Sequence, residues 1–358
     1  MDFFDYIIVG GGTAGCVLAN RLSENKSNSV LLIEAGSRKY NPWLYIPGGY
    51  FKTIFSKKLN WRYETQPEKE LNFRKIVWPR GKVLGGSGAI NGMVYIRGQR
   101  EDFDHWKDLG NSEWSYEKVL PFFIKSEKQK SKNDELNKKY HNTNGLFYIS
   151  DYPNKFILSE TFIEAANEQN IKTNYDFNGA FQSGAGYYQI TTNNWLRSDS
   201  DICFLKPALK RSNLTVLTNT LVTKIIIKNK KVIGVKVSKN GNTKTLKCGK
   251  EVILSAGTVN SPQLLQISGI GDQKYLSKIG IKTILDLPEV GENLQDHLQS
   301  QIIYKCDKNI SLNSDLVSFT GKIKTLIKYL FFHRGFLAGG STPAGAFVST
   351  RKGVTRPN

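Results

Sequence analysis

Apolar and polar positions in the N-terminal part of the chain follow the pattern of a strand, a helix and a second strand. The apolar runs Tyr6–Val9 and Val30–Ile33 are too short for helices, and they predict strands buried in a sheet. The residues between them predict a helix over about Ala14–Ser23. Because parallel strands need such a crossover helix, the pattern indicates a βαβ unit of an α/β fold.

Further helices and a meander of strands are predicted downstream. Amphipathic spacing predicts helices at Arg100–Lys107, Ser115–Ser126, Ser159–Gln169 and Ile323–Phe332. Alternating apolar positions predict an antiparallel meander with a turn at Asn240–Gly241 and strands at Leu214–Leu217, Val222–Ile227, Val232–Val237 and Thr245–Lys247. The fully apolar run Val252–Leu254 predicts a strand that returns to the buried parallel sheet. The aromatic, irregular stretch from Ser37 to Glu70 predicts an excursion over a cofactor.

Glycines with the spacing Gly10-x-Gly12-x-x-Gly15 follow the first predicted strand, and Glu34 ends the second. Gly10 allows a tight turn, Gly12 lets a pyrophosphate approach the backbone, and Gly15 lets the helix pack close to the sheet. The helix N-terminus offers N–H groups to the phosphates, and Glu34 can bind a ribose hydroxyl. This order of elements predicts a dinucleotide site. The motif does not separate FAD from NAD, whereas Glu34 disfavours NADP.

Two further glycine-rich segments are expected to bring backbone close to a bound group. The segment Arg80–Tyr95 mixes small residues with apolar ones, which offers N–H donors along a flat ligand and argues against a solvated linker. In the segment Leu254–Gly271 a predicted strand ends in small residues. A helix is then predicted to begin near Ser261–Pro262 and to end at Ser268–Gly269.

These segments together resemble the glucose–methanol–choline (GMC) flavoprotein oxidoreductases, and most closely the choline dehydrogenase-like branch. Gly81–Asp104 and Gly257–Gly271 match the two signatures of that family, and Val290–His297 is similar to a third family segment. The resemblance implies a doubly wound, Rossmann-like FAD-binding domain with an inserted β meander, plus a partial α+β substrate domain with an antiparallel sheet. It implies an FAD-binding region over 1–300, with a substrate-domain excursion at roughly 150–210, and the start of an incomplete substrate-binding region over 301–358.

The resemblance also implies which residues hold FAD. The pyrophosphate would lie on the first glycine turn, Gly10–Gly15, and near the small residues after Leu254. The ribose would lie at Glu34, and the flavin along the second glycine segment, Arg80–Tyr95. The implied cofactor-binding residues are Gly10, Gly12, Thr13, Ala14, Gly15, Glu34, Ala35, Arg80, Gly81, Val83, Ser87, Asn91, Gly92, Met93, Val94, Val222, Ala256 and Gly257.

The chain departs from its relatives at two places. Some relatives attach FAD covalently through a His just before the Asn of the first signature, and Ile90 stands at that position, so we expect non-covalent FAD. Relatives usually carry small apolar residues after an Arg-Ser pair, whereas Asp199 and Asp201 follow Arg197–Ser198 here. We expect the local contacts to flavin or substrate to differ as a result.

Alcohol oxidation by a flavin needs a base for the hydroxyl proton and a hydride acceptor at flavin N5. Family members use a His base, with a second His or Asn beside it, in their C-terminal part. The four histidines here, His105, His141 in a polar loop, His297 and His333, lie outside such a segment. His297 is the best functional candidate, although a structural role is favoured for it. We therefore assign no catalytic residue, and we expect the base beyond residue 358 of a C-terminally truncated chain that is inactive alone.

Composition and charge limit the expected partners and cellular location of the protein, but they add no candidate site. The net charge is +19 and the pI about 9.6, but the lysines are spread among asparagines, which favours a solvated surface over nucleic-acid binding. The 4 cysteines lie far apart, so neither a metal site nor a disulfide framework is predicted. Since no signal peptide or transmembrane run is expected, we predict a bacterial cytoplasmic protein, with peripheral contact to the inner membrane left open.

The main hypothesis is FAD-dependent oxidation of a primary alcohol, which could be choline-like, aliphatic or aromatic. The electron acceptor would be oxygen, or a quinone or other electron carrier. The alternatives are an FAD-containing hydroxynitrile lyase and a non-catalytic remnant of the FAD domain. The sequence leaves the alcohol, the acceptor and the oligomeric state open.

Overall fold

The computed structural model describes residues 2–131, 133, 136, 138–308, 310–311, 316–351, 353–354 and 356–357. The strands within them are, in chain order, β1 (Phe3–Val9), β2 (Val30–Ile33), β3 (Tyr63–Glu64), β4 (Val77–Trp78), β5 (Val94–Tyr95), β6 (Glu127–Gln129), β7 (Phe147–Asp151), β8 (Gly184–Tyr187), β9 (Gln189–Ile190), β10 (Thr192–Asn193), β11 (Leu196–Arg197), β12 (Leu214–Leu217), β13 (Leu221–Lys228), β14 (Lys231–Lys239), β15 (Asn242–Leu254), β16 (Ile270–Gly271), β17 (Leu285–Asp286) and β18 (Ala344–Phe347). The α-helices are α1 (Thr13–Leu22), α2 (Tyr50–Thr53), α3 (Arg100–Asp108), α4 (Tyr116–Ser126), α5 (Ile157–Glu168), α6 (Lys206–Ala208), α7 (Gly257–Ile267), α8 (Gln273–Lys278), α9 (Phe319–Phe332) and α10 (Phe336–Gly339).

The chain divides into two compact units, each assembled from separate stretches of sequence. The first unit comprises Met1–Asn41, Lys52–Asn91 and Asp199–Ile303, and the second comprises Pro42–Phe51, Gly92–Ser198 and Tyr304–Asn358. The predicted excursion at roughly 150–210 falls in the second unit as far as residue 198. The division into regions 1–300 and 301–358 stays a prediction.

The first unit is built on a six-stranded sheet with the order β12-β2-β1-β15-β14-β13. β1 runs parallel to β2 and to the C-terminal half of β15, and β12 runs parallel to β2. β13, β14 and the N-terminal half of β15 form an antiparallel meander. Its turn at Asn240–Gly241 has φ values of 50° and 83°, as a tight hairpin turn requires. A parallel sheet with an inserted meander is the Rossmann-like arrangement that the sequence predicts.

Two strand predictions need correction. Leu214–Leu217 is an edge strand parallel to β2 and takes no part in the meander. The predicted strands Thr245–Lys247 and Val252–Leu254 belong to one long strand, β15, which pairs first with β14 and then with β1. The hydropathy pattern changes inside β15 because its neighbours and its burial change there, although the backbone continues in the same direction.

Both faces of the parallel strands are buried, which explains their continuous apolar runs. Successive side chains of a strand point to opposite faces. Ile7 and Val9 of β1 belong to a core cluster that includes Leu264 of α7. Ile8 belongs to a second cluster with Cys16 and further residues of α1. The two helices therefore cover opposite faces of the sheet.

The second unit contains a four-stranded sheet with the order β5-β9-β7-β6, in which β6 and β7 are parallel and the other pairs antiparallel. A separate antiparallel pair joins β8 and β18. The helices α3, α4, α5 and α9 lie where amphipathic spacing predicts them, with ends shifted by a few residues. Across the residues described above, none of the helices has the length and apolar character needed to cross a membrane.

Candidate functional site

A cavity of about 770 Å³ lies in the first unit where β1, β2 and β15 end. This volume is in the usual range for cofactor sites, and open α/β sheets bind ligands at the carboxyl ends of their strands. The predicted cofactor-binding residues that line it are Gly10, Gly12, Thr13, Ala14, Glu34, Ala35, Arg80, Gly81, Ser87, Val222, Ala256 and Gly257. A second cavity of about 960 Å³, beside Pro288–Gln295, is lined by none of the predicted residues.

The three glycines of the first turn have different surroundings. Gly10 has a φ of +104°, and an added Cβ would lie 2.4 Å from the carbonyl oxygen of Ser255. A Cβ on Gly15 would lie 1.9 Å from the carbonyl oxygen of Gly10, so close packing of α1 requires glycine there. At Gly12 the nearest atom, Gly86 Cα, is 3.8 Å away. The missing side chain of Gly12 is therefore not required by packing of the protein. It leaves space in the cavity, where a ligand can approach the backbone.

The N-termini of two helices line the same cavity. Thr13 and Ala14 begin α1, whose first turn contains no acidic residue, and Gly257 begins α7 with a φ of +87°. The first N–H groups of a helix lack intrahelical partners and carry partial positive charge. Two such ends at one cavity make a site suited to a diphosphate.

The predicted start of the second of these helices was wrong. α7 begins at Gly257, four residues before the predicted start near Ser261–Pro262. The Ser261 hydroxyl accepts the N–H of Ala256 at 3.1 Å, which ties the start of the helix to its second turn. Pro262 lies inside the helix, where it cannot donate to the carbonyl of Thr258. The positive φ of Gly257, and not the proline, sets the start of the helix.

Glu34 directly follows β2 and is 6% exposed. Its two carboxylate oxygens accept the N–H groups of Gly11 at 2.8 Å and Gly36 at 2.7 Å. Burial raises the pKa of Glu34 from 4.5 to about 7, and the hydrogen bonds from Gly36 and Gly11 oppose this rise. Each oxygen keeps acceptor capacity for a further donor, such as a sugar hydroxyl. The structure thus holds this acid rigidly at the cavity wall.

Sequence reasoning missed an aromatic wall of the cavity. The rings of Trp61 and Tyr63 stack with centroids 5.9 Å apart, and the Lys82 ammonium lies 4.6 Å from the Trp61 ring centre. The Tyr63 hydroxyl donates to the side chain of Asn260 on α7. The only sequence signal was the aromatic content of the stretch from Ser37 to Glu70, which does not indicate which rings reach the cavity.

The second glycine segment packs directly on the first turn. The Gly85 N–H donates to the Gly11 carbonyl at 2.8 Å, and a Cβ on Gly86 would lie 2.7 Å from the Cα of Gly12. The Gly81 N–H donates to the hydroxyl of Ser87 at 3.1 Å. Side chains at these positions would separate the two turns, which explains why the segment contains so many glycines.

Several predicted residues lie away from the cavity lining. Gly15 and Val83 are buried behind it, and Asn91 is exposed. The remaining three belong to the second unit: Gly92 is exposed, Met93 packs in the core cluster with Ile190, and Val94 lies in β5. The flavin-side role of these residues stays a prediction.

None of the four histidines, all within the described part of the chain, lines the cavity. The side chain of His297 is 94% exposed, and His105 is exposed on α3. His333 ends α9 with a φ of 55° and stacks on Trp195 with a ring separation of 4.7 Å. The described residues contain no group of three or more His, Cys, Asp or Glu side chains that could hold a metal ion.

His141 lies in a loop of the second unit, as the sequence predicts, but its side chain is only 5% exposed. Its two ring nitrogens lie 3.0 Å from carboxylate oxygens of Glu127 and Asp176. Burial lowers the pKa of His141, but its hydrogen bonds to Asp176 and Glu127 outweigh this effect and raise it to about 9. Arg97 also pairs with Glu127 at 2.8 Å. The imidazolium is thus part of a buried ion network.

Comparison with known proteins agrees with the geometry of this site. A family model described as GMC oxidoreductase matches residues 4–299. The chain is 42% identical to an alcohol dehydrogenase (acceptor) of Pseudomonas putida, over 99% of this chain and 64% of that protein. It is 40% identical to an oxygen-dependent choline dehydrogenase of Photobacterium profundum, over 99% and 62% of the two chains. A solved FAD-dependent oxidoreductase from Chaetomium thermophilum superposes with a TM-score of 0.86 at 30% identity, over 97% of this chain and 62% of that one. The chain therefore spans less than two thirds of the length of these relatives.

Proposed function

The chain belongs to the GMC oxidoreductase family, and we propose that its first unit binds FAD non-covalently for the oxidation of a primary alcohol. One arrangement carries this proposal. The N-termini of α1 and α7, the bare backbone of Gly12 and the buried carboxylate of Glu34 all line a single cavity. A dinucleotide carries a diphosphate, which suits the helix N-termini, and a ribose diol, which suits the carboxylate of Glu34.

The groups that line the cavity suit distinct parts of FAD. The N–H groups at the starts of the two helices would bind the diphosphate, with Arg80 as the cation of the lining. Glu34 would accept ribose hydroxyls while it stays anchored by Gly11 and Gly36. The stacked rings of Trp61 and Tyr63 would cover apolar surface of the cofactor and exclude water.

FAD, when bound, supplies a hydride acceptor at N5. The described residues serve to bind and orient it, and no general base is assigned among them. Ile90 supports a non-covalent complex, because it is 2% exposed and its apolar side chain offers no nucleophile.

The substrate class comes from the relatives. Both are named as dehydrogenases of alcohols or choline, which favours oxidation of a primary alcohol over the hydroxynitrile lyase alternative. One is named for a generic acceptor and the other for oxygen, so we leave oxygen and a quinone or other electron carrier as the candidate acceptors. A cytoplasmic location remains part of the proposal.

The absorbance spectrum of the purified chain tests the cofactor. We expect a flavin spectrum, or its appearance after FAD is added, and release of all colour from the polypeptide on denaturation. A colourless chain that takes up no FAD would overturn the proposal, and colour that stays on the denatured polypeptide would contradict non-covalent binding.

Anaerobic titration of the full-length protein that the gene encodes, with candidate alcohols, tests the reaction. Choline, butanol and benzyl alcohol cover the candidate substrate types. Bleaching of the flavin by one of them supports alcohol oxidation. Cleavage of a cyanohydrin without bleaching would support the lyase, and a bound flavin that none of these compounds changes would support the non-catalytic remnant.

A further inference from the structure

Three charged side chains are buried together in the first unit, away from the cavity lining. The side chains of Lys39, Asp199 and Asp201 are 1%, 2% and 15% exposed. The Lys39 ammonium donates to Oδ2 of Asp199 and lies 3.3 Å from Oδ2 of Asp201. Taking charges out of water is unfavourable unless their partners are held in good geometry. Apolar residues of similar volume are often at least as stable in such a position, so the cluster calls for an explanation.

Asp199 contacts the second glycine segment. A Cβ added to Gly85 would lie 3.2 Å from its Oδ2, so the carboxylate packs against the backbone of that turn. The other oxygen, Oδ1, accepts the N–H of Ile202 at 3.2 Å, which anchors the carboxylate at the start of the helical segment that leads into α6. The side chain is thus fixed from two directions, by Lys39 and by Ile202.

The turn that Asp199 supports is the one that packs on the first glycine turn. The Gly85 N–H donates to the Gly11 carbonyl, and Gly86 lies against Gly12. A Cβ on Gly88 would lie 2.9 Å from the Thr13 hydroxyl. Asp199 and the cavity-lining residues Gly12 and Thr13 are therefore separated by the single layer Gly85–Gly88.

Lys39 connects Asp199 to the chain segment that follows β2. The residues just before it pair with the second glycine segment, because Ser37 and Val83 form a parallel bridge and the Leu84 N–H donates to the Ser37 carbonyl at 3.1 Å. Lys39 thus joins the chain after Glu34 to Asp199, which is 160 residues away in sequence. The Lys39 ammonium therefore connects the segment after β2 with the Asp199–Asp201 segment that packs behind the Gly85–Gly88 turn.

We propose that Lys39 and Asp199 are positioning residues for the cofactor. Their buried ion pair holds the Gly85–Gly88 turn against the turn from Gly10 to Gly15, and so sets the affinity of the cavity for the diphosphate of a dinucleotide. Asp201 completes the charge cluster, but Asp199 is the carboxylate nearest to Gly85. This inference rests on the proposed function, since it concerns how tightly FAD is held.

The matched substitutions Asp199→Asn and Asp201→Asn test the proposal, because each replaces one carboxylate of the same cluster by an amide. The dissociation constant of FAD is measured by flavin fluorescence on the apoprotein of each variant. We expect Asp199→Asn to weaken binding about tenfold, and Asp201→Asn to change it by less than about twofold. Equal effects of the two variants would overturn the proposal.

Substitution of Lys39 gives an independent test. Lys39→Met leaves two buried carboxylates without their cation, and we expect it to weaken FAD binding more than Asp199→Asn, with partial rescue by Lys39→Arg. The visible circular dichroism of the bound flavin should change in Lys39→Met, a signal that a purely structural role would not move. If Lys39→Met does not fold, the Asp199 and Asp201 pair decides the question.

Measurements on the wild-type chain and on a surface variant distinguish failure of the proposed FAD binding from failure of the positioning role alone. Lys58→Met, at an exposed position, should bind FAD like the wild type. A wild-type chain without affinity for FAD would overturn the proposed function itself. Normal FAD binding by the wild type, together with unchanged affinity in Asp199→Asn and folded Lys39→Met, would overturn only the positioning role.

Discussion

Glu34→Gln separates the contribution of this residue to cofactor binding from its contribution to folding. The substitution keeps the shape of the side chain but removes the charge and one acceptor oxygen. Of the two N–H groups that the carboxylate accepts, from Gly11 and Gly36, only one can keep an oxygen partner. Ribose hydroxyls would also lose a charged acceptor. Hydrogen bonds to charged groups contribute about 1.5–3 kcal/mol, so we expect FAD affinity to fall by about tenfold to a hundredfold.

The effect of the substitution on folding of the apoprotein should depend on pH. The pKa of Glu34 is raised in the folded state from 4.5 to about 7, so the folded chain holds this proton more tightly than the unfolded chain. Stability from this group is present below the unfolded pKa and declines as the pH rises through the folded pKa. The shift corresponds to about 3 kcal/mol. Relative to Glu34→Gln, the wild-type apoprotein should lose about this much unfolding free energy between about pH 4 and about pH 8.

Asp5→Asn is the matched control. Asp5 also accepts a backbone N–H, from Ser29 at 2.7 Å, but it lies at the other end of β1 and β2 from the cavity. This hydrogen bond lowers the pKa of Asp5 below 3.8, so its stabilisation is present above that pH and is lost only in acid. Asp5→Asn should therefore leave FAD affinity unchanged, and its stability difference from the wild type should be constant between about pH 5 and about pH 8.

Two measurements check these expectations. Urea unfolding of each apoprotein, followed by tryptophan fluorescence over the pH range, gives the free energies, and titration with FAD at about pH 8 gives the affinities. The reasoning would be refuted if Glu34→Gln bound FAD as tightly as Asp5→Asn. It would also be refuted if the unfolding free energy of the wild type, relative to that of Glu34→Gln, stayed constant or rose as the pH increased.

Three further predictions concern single side chains. Gly12→Ala should leave the apoprotein stable, because its Cβ would meet no atom closer than 3.8 Å, but it should weaken FAD binding at least about tenfold in a fluorescence titration. Gly15→Ala should instead lower the unfolding free energy by about 3 kcal/mol in urea, because its Cβ would lie 1.9 Å from a carbonyl oxygen; equal stability of the two variants would contradict this. His141→Asn should cost about 3 kcal/mol of stability near pH 7, and the loss should disappear as the pH rises through about 9, where the wild-type imidazolium loses its proton; a loss that is independent of pH in urea unfolding would argue against the ion network.

The sequence by itself determined the first βαβ unit, the meander turn and part of the cavity lining. These features depend on local rules: apolar runs of strand length, glycines where the backbone must approach a ligand, and an acid at a strand end. The same rules identify Glu34 and the glycine turns without reference to tertiary contacts. They also placed the long helices to within a few residues.

Tertiary structure alone decided which distant residues meet. Local pattern could not show that β15 is one strand, because its hydropathy changes when its neighbours change. Nor could it bring Trp61 to the cavity, place His141 between two carboxylates, or join Lys39 to Asp199. Each of these contacts depends on how separate elements pack, and that packing is selected by the buried surface of the whole unit rather than by any short stretch of sequence.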